Sequence, residues 1–317
     1  MLTGQAGPRI VALGGGHGLY AALRAACHLT TNLTAVVTVA DDGGSSGRLR
    51  DEFGALPPGD LRMALAALCG DLHRQQLWAQ VLQHRFHSTG PLDNHALGNL
   101  LIMGLWQQLG DPIDGLDYIG RLVGAKGRVL PMASEPLEIE ATALVDGQEV
   151  VVRGQSRVAV TPAVQSVCLL PADPHVDERV IAAVREADWI ILGPGSWFTS
   201  VLPHLLVPAL RRALVATRAR RILTLNLVPQ RGETEGMSAA DHVEVLLRHA
   251  PDFRLDVIVA DPSQVDDIAA LDRAASASGA RVTLRQVHRA DDHAVHDELR
   301  LAAAFRDACD GLVGDID

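Results

Sequence analysis

The chain has 317 residues, 48% of them hydrophobic, which is enough apolar material for a sizeable core in one large or two ordinary domains. A formal net charge of −10 argues against nucleic acid or an anionic membrane as the main partner. Four cysteines, Cys27, Cys69, Cys168 and Cys309, show no paired spacing, so neither a zinc site nor a disulfide framework finds support.

Met1 to Gly7 lacks the charged start and apolar core of a signal peptide, and the apolar segment around Leu100 to Trp106 is too short to span a bilayer. A cytoplasmic protein without membrane insertion is expected. Arg9 to Leu13 reads as a short buried strand running into Gly14, Gly15, Gly16, His17 and Gly18. Leu19 to Ala26 follows with helical apolar spacing. Strand, glycine loop and helix open a dinucleotide-type unit that places a phosphate at the helix N-terminus. The match to G-x-G-x-x-G is imperfect, because Leu19 stands where the third glycine belongs.

Leu33 to Val39 is a second buried strand, and it ends in Asp41, Asp42, Gly43, Gly44, Ser45, Ser46, Gly47 and Arg48. Two carboxylates, three glycines, two hydroxyls and a cation read as a ligand loop rather than a packing requirement. Asp60 then either caps the helix beginning at Leu61 or contacts a ligand. Leu72 to Phe86 is amphipathic, with His73, His84 and His87 at its surface. Asn94 to Leu109 is the next helix; Asn99, preceded by Gly98, is either a satisfied buried amide or a ligand contact.

From Gly127 to Val160 the hydrophobic period drops to two, and Asp146-Gly147 predicts a hairpin. That turn pairs Glu140 with Arg153, Ala141 with Val152 and Ala143 with Val150. Alternation of strand and helix resumes from Ala163, and Trp189 to Leu192 ends in a second glycine- and hydroxyl-rich loop holding Gly195, Ser196, Thr199 and Ser200. Arg221 to Val228 is a strand containing Asn226, and Ser238 with Asp241 predicts a capping box. His293, His296 and the neighbouring acids read as a solvated segment rather than a metal site. The expectation is one α/β domain over residues 1–317: a Rossmann-like, mostly parallel sheet flanked by helices, with an antiparallel β-hairpin insertion at 127–160.

The glycine loop at 14–18, the run Asp41 to Arg48, Pro57-Pro58-Gly59-Asp60-Leu61-Arg62, Gly98-Asn99-Leu100, Gly193 to Ser196 with Thr199-Ser200, and Asn226 with Gly232-Glu233-Thr234 resemble the YvcK family. These are gluconeogenesis factors of the CofD-like superfamily. The resemblance implies a Rossmann-like fold, binding of UDP-sugars such as UDP-N-acetylglucosamine, and a cytoplasmic role in cell-wall synthesis and cell shape. It attaches no reaction to this branch. The sister CofD branch transfers a phospholactyl-type group from a guanosine dinucleotide to a deazaflavin alcohol with Mg²⁺. His17 stands where the family usually has threonine, and Val295 where it tends to carry an arginine before the pair His296-Asp297; Arg289 or Arg300 would have to substitute.

On the regulatory reading, the diphosphate lies on N–H groups of Gly15 to Gly18 and of Gly195-Ser196, with Ser45, Ser46 and Arg48 completing the anion site. Asn99 and Asn226 then read the base or sugar, and Asp41 and Asp42 accept from sugar hydroxyls. On the transferase reading, Asp41 and Asp42 hold Mg²⁺. An NAD-dependent dehydrogenase would leave Ser45 to Arg48 unexplained. The hairpin and the apolar helices make a homodimer an expectation too.

Overall fold

Ile10 to Gly14 are all buried, as a strand covered on both faces must be, and they form the central strand β1 of the sheet in a computed structural model that describes residues 7–310. The leader-free reading of Met1 to Gly7 lies, apart from Gly7, outside the described residues. Around β1 run β2 (Leu33–Val37), β3 (Gly127–Pro131), β7 (Trp189–Leu192), β8 (Arg220–Thr224), β9 (Val257–Ala260) and β10 (Arg281–Leu284). Every pairing in this sheet is parallel, in the order β10-β9-β8-β7-β1-β2-β3. The chain leaves β1 in one direction through β2 and β3, then returns to its other side at β7. A topological switch point therefore lies between β1 and β7, where open α/β sheets bind ligands beyond the carboxyl ends of their strands.

Helices flank the sheet. In the first half they are α1 (Gly16–Ala26), α2 (Gly44–Phe53), α3 (Pro58–Leu68), α4 (His73–Gln83), α5 (Leu97–Leu109) and α6 (Pro112–Val123). The short α7 (Gln155–Val158) follows the hairpin; α8 (Glu178–Glu186), α9 (Pro203–Leu206) and α10 (Pro208–Ala216) surround β7. The chain ends through α11 (Ala239–His249), α12 (Ile268–Ser278) and α13 (Glu298–Asp310). Helices α1, α3 and α13 pack side by side, α8 lies against α10, and α11 against α12. One continuous apolar core runs through the described residues. No helix among them is long and apolar enough to cross a membrane.

A separate antiparallel sheet contains β4 (Glu138–Val145), β5 (Gln148–Arg153) and β6 (Val164–Leu170), in the order β5-β4-β6. The hairpin register is the one the Asp146-Gly147 turn predicts: Glu140 faces Arg153, Ala141 faces Val152 and Ala143 faces Val150. The boundaries differ from expectation at both ends. Residues 127–131 belong to the parallel sheet, because β3 docks on β2 from Leu33↔Gly127 to Val37↔Pro131. The strand expected from Ala163 joins the small sheet instead, pairing antiparallel with β4.

Two further corrections concern the site. The stretch at 41–48 is not a loop throughout, since α2 starts at Gly44 with Gly43 as its N-cap. Helix α1 likewise begins inside the glycine loop, at Gly16. Ser238 caps α11 in the expected box with Asp241.

Candidate functional site at the switch point

The loops after β1 and β7 lie on either side of the switch point and touch backbone to backbone. A β-carbon at Gly18 would lie 2.2 Å from the Pro194 carbonyl oxygen, so only glycine allows this approach. Asn226, just past β8, holds the second loop from behind. Its Oδ1 accepts from the Gly195 N–H and its Nδ2 donates to the Gly195 carbonyl, both at 2.8 Å. Buried Glu233 secures the far end, accepting from Ser196 Oγ at 2.6 Å and from the Phe198 N–H at 2.8 Å. Burial raises the pKa of Glu233, and the Ser196 hydroxyl and several backbone N–H groups oppose that rise.

These contacts shape a two-chambered crevice. The outer chamber, about 720 Å³, is lined by Tyr20, Leu227, Arg289 and His296 among others. The inner chamber, about 260 Å³, is lined by Asp41, Asp60, Gln155, Ser196 and Ser200 with the glycines of the first loop. His17, Gly18, Gly195 and Gln230 line both, so the two chambers adjoin. Gln230 Oε1 is shielded from water and has no hydrogen-bond partner, as is His296 Nε2. Burial lowers the His296 pKa to about 4, which leaves its imidazole neutral near pH 7. Both residues line the outer chamber.

Helix α1 opens onto this space with no side chain of its N-cap residue, Gly15, to satisfy its first N–H groups and no acid in its first turn. Asp60, from the first turn of α3, meets that end: its carboxylate accepts from the Gly16 N–H, and a β-carbon at Gly15 would lie 2.5 Å from its Oδ2. Burial raises the Asp60 pKa to about 7, with help from the charge on Asp41, while Gly16 and Arg62 act in the opposite sense. Asp41 is also raised by burial, against hydrogen bonds from the Gly43 N–H at 3.0 Å and from Ser46. The inner chamber thus holds two carboxyl groups that both resist ionisation. Among the described residues no group of three His, Cys, Asp or Glu side chains is placed to hold a metal ion. A Mg²⁺ ion between Asp41 and Asp60 would draw its remaining ligands from water and substrate phosphate, which is how Mg²⁺ is commonly held.

Comparison with known proteins identifies the family. A family model described as 2-phospho-L-lactate transferase CofD matches residues 10–300. A Mycobacterium tuberculosis (H37Rv) relative is 51% identical over 315 residues, covering 96% of this chain and 91% of its own. The Bacillus subtilis gluconeogenesis factor is 38% identical over 261 residues, 82% of this chain and 80% of its own. The crystal structure of a UPF0052 family member from Bacillus halodurans has a TM-score of 0.86 and 32% identity, covering 96% of this chain and 100% of that one. The chain belongs to the CofD family, in its gluconeogenesis-factor (YvcK, UPF0052) branch.

In this gluconeogenesis-factor chain the crevice gathers Gly15, Gly16, His17, Gly18, Asp41, Asp60, Gly195, Ser196, Ser200 and Asn226 from the residues that the sequence singled out. Gly14 ends β1 just behind them, and Thr199 sits behind the inner chamber, where its hydroxyl meets Ser196 Oγ and accepts from Gln155 Nε2 at 3.4 Å. The rest of the 41–48 run turns elsewhere. Asp42 Oδ1 accepts from the Ser156 N–H at 2.9 Å, so it holds the first turn of α7, just after the hairpin, and does not pair with Asp41. Ser46 Oγ accepts from the Gly59 N–H at 2.8 Å, joining the starts of α2 and α3. Ser45 Oγ accepts from the Ala96 N–H and from Asn99 Nδ2 and contacts His95 Nδ1 at 3.0 Å. Asn99 Oδ1 in turn accepts from Arg62 Nε at 2.9 Å, so its amide is spent inside the protein. Arg48 donates to the Pro91 and Asp93 carbonyls, each at 3.0 Å. Gly43 and Gly44 serve the α2 N-terminus.

Several crevice residues escaped the sequence reading. Gln155 and Gln230 follow strand ends, but a lone glutamine in a loop carries no signal. His296 is not part of a solvated surface: it is half-buried and lines the outer chamber. Arg289 also reaches that chamber, whereas Arg300 donates to the His288 carbonyl and is a structural clasp. His288 itself is buried on Asp261, with Nδ1 2.8 Å from Oδ2, which anchors the segment carrying Arg289.

Proposed function

We propose that this protein is a cytoplasmic nucleotide-sugar-binding regulator that takes a ligand of the UDP-N-acetylglucosamine type across the switch point and acts in cell-wall synthesis and cell shape. The observation that carries this reading is the adjacency of the two chambers, which share His17, Gly18, Gly195 and Gln230 as lining. Such a space suits a ligand with two bulky ends joined by a narrow anionic bridge. The bridge would lie on the α1 N-terminus, where an anion gains roughly 0.3–1 kcal/mol from the helix dipole. Arg289 would neutralise it, leaving an exposed ion pair with Asp291 that is worth little in water. Gln230 Oε1 and His296 Nε2 would accept from the base or the sugar, and Asp41 and Asp60 from sugar hydroxyls.

Calorimetric titration with UDP-N-acetylglucosamine, UDP-glucose and guanosine nucleotides, with Mg²⁺ present, tests the reading. UDP-sugar binding is expected, and His17→Ala and Arg289→Ala should each weaken it by about tenfold, ~1.4 kcal/mol. Both side chains are exposed, so urea stability should stay within about 0.5 kcal/mol of wild type. Failure of every UDP-sugar to bind through the millimolar range would reject the reading.

A second reading, a Mg²⁺-dependent phospholactyl-type transferase, draws on one observation: the carboxyl pair Asp41 and Asp60 at the helix N-terminus. There the pair would hold the cation and neutralise phosphate charge. Turnover of a deazaflavin alcohol with an activated guanosine donor, lost in Asp41→Asn, would favour it over simple binding.

A further inference from the structure

Strand β5 is an edge strand whose outer side meets no other strand among the described residues. Four of its six residues are at least partly apolar in their demands or uncharged, and Val150 and Val151 are 39% and 58% exposed. An edge of this kind is a template for another strand. The register with β4 fixes which groups it offers. Val145 and Gln148 close the two-residue turn, and the Gly154 N–H donates to the Ile139 carbonyl at 2.9 Å, so the even-numbered residues bond toward β4. Glu149, Val151 and Arg153 therefore turn their N–H and C=O groups outward. The Arg153 carbonyl accepts from Arg157 Nε at 2.6 Å and keeps a second lone pair.

We propose that β5 pairs antiparallel with β5 of a second copy of this chain about a two-fold axis through Val151. In that register Val151 faces its own copy, Val150 faces Val152, and Glu149 faces Arg153 on both sides of the axis. The outward groups of 149, 151 and 153 then exchange about six ladder hydrogen bonds. Slipping by two residues sets Glu149 against Val151 and Arg153 against Gly147, which abandons both charge pairs. Slipping by one sets outward groups against inward ones and makes no ladder. The strand's charges thus complement the same strand reversed, which is the self-complementarity a two-fold interface requires. Arg153 already pairs with Glu140 of its own chain, so each arginine would sit between two carboxylates. The result is a six-stranded antiparallel sheet across two copies. Its seam lies two residues from Gln155, which lines the inner chamber.

Sedimentation velocity of the full chain over a concentration series tests this. A reversible dimer is expected. Glu149→Arg alone and Arg153→Glu alone each place two like-charge pairs across the seam, and each should weaken the dimer by about tenfold or more. An equimolar mixture of the two variants restores both opposite-charge pairs and should give a heterodimer. Val151→Lys, which sets two ammonium groups face to face on the axis, is an independent disruptor, and circular dichroism melts establish that the variants are folded. A wild-type chain that stays monomeric, a dimer indifferent to Glu149→Arg and Val151→Lys, or a mixture that fails to recombine would each overturn the proposal.

Discussion

Asp60 shows how a single side chain sets the chemistry of the crevice. Its pKa of about 7 lies above the unfolded value, so as pH rises from 4 to 7 the unfolded chain loses a proton that the folded chain keeps. In the ligand-free protein the Asp60 contribution to stability is therefore most favourable below about pH 4, falls through that window and levels off above about pH 7. At ~1.4 kcal/mol per unit, the fall is of the order of a few kcal/mol. Asp60→Asn keeps an oxygen for the Gly16 N–H and removes the ionisation. The variant should be more stable than wild type at about pH 8, by roughly 2 kcal/mol, and the two should converge near pH 4. Urea unfolding at both pH values checks this, and a gap of equal size at both would refute it. At this scale the sequence was only partly legible. Asp60 could be read as a cap of its own helix or a ligand contact, but α3 starts earlier, at Pro58, with Pro57 as N-cap and no side-chain cap, and Asp60 turns instead toward the mouth of α1. The polar character of Ser45, Asn99 and Arg48 was just as visible, but their partners lie up to 54 residues away, and no local pattern reveals such a network.

At the level of elements, the crevice depends on the loops after β1 and β7 approaching more closely than side chains allow. Gly18→Ala should cost about 1–3 kcal/mol, since its β-carbon meets the Pro194 carbonyl and one loop must give way. Gly104 in the interior of α5 has nothing within 4 Å of such a carbon, so Gly104→Ala should stabilise by about 0.5–1 kcal/mol. Denaturant melts of the two variants separate close approach from helix propensity, and similar effects from both would count against the loop contact. The elements that were legible are those whose own residues decide them. Strand β7 is an apolar run with matching bounds, the Asp146-Gly147 turn fixes the hairpin register, and Ser238 with Asp241 caps α11. Helix α2 was not legible, because its first turn, Gly44-Ser45-Ser46-Gly47, has poor intrinsic helix propensity. What holds it is tertiary: Ser45 on α5 and its approach, and Ser46 on α3. Strand β3 failed for a related reason, since three of its five residues, Gly127, Arg128 and Pro131, carry no strand signal and β2 alone gives it a register.

For the molecule as a whole, the crevice walls come from both halves of the sheet: the segments after β1, β2 and β10, the first turn of α3, and the loops after β7 and β8. A ligand that fills both chambers would tie together pieces spread over almost the entire chain, and in a protein of net charge −10 it must find its anionic bridge a local positive field. Binding of this kind belongs to the native state alone, because the unfolded chain has no crevice, so occupancy adds RT ln(1 + [L]/Kd) to stability. At a UDP-sugar concentration about one hundred times Kd, the gain is ~2.7 kcal/mol. For a chain of this length that should raise Tm by about 5 °C. UMP, which can fill only one chamber and offers no diphosphate, should raise it less at the same concentration. Arg289→Ala, binding about tenfold more weakly, should retain only ~1.4 kcal/mol of the gain while melting like wild type without ligand. Differential scanning calorimetry of both chains, with UDP-N-acetylglucosamine and with UMP, reads all of these shifts. Equal shifts from UMP and the nucleotide sugar would mean that a single chamber holds the whole ligand, and the two-chambered clamp would have to be abandoned.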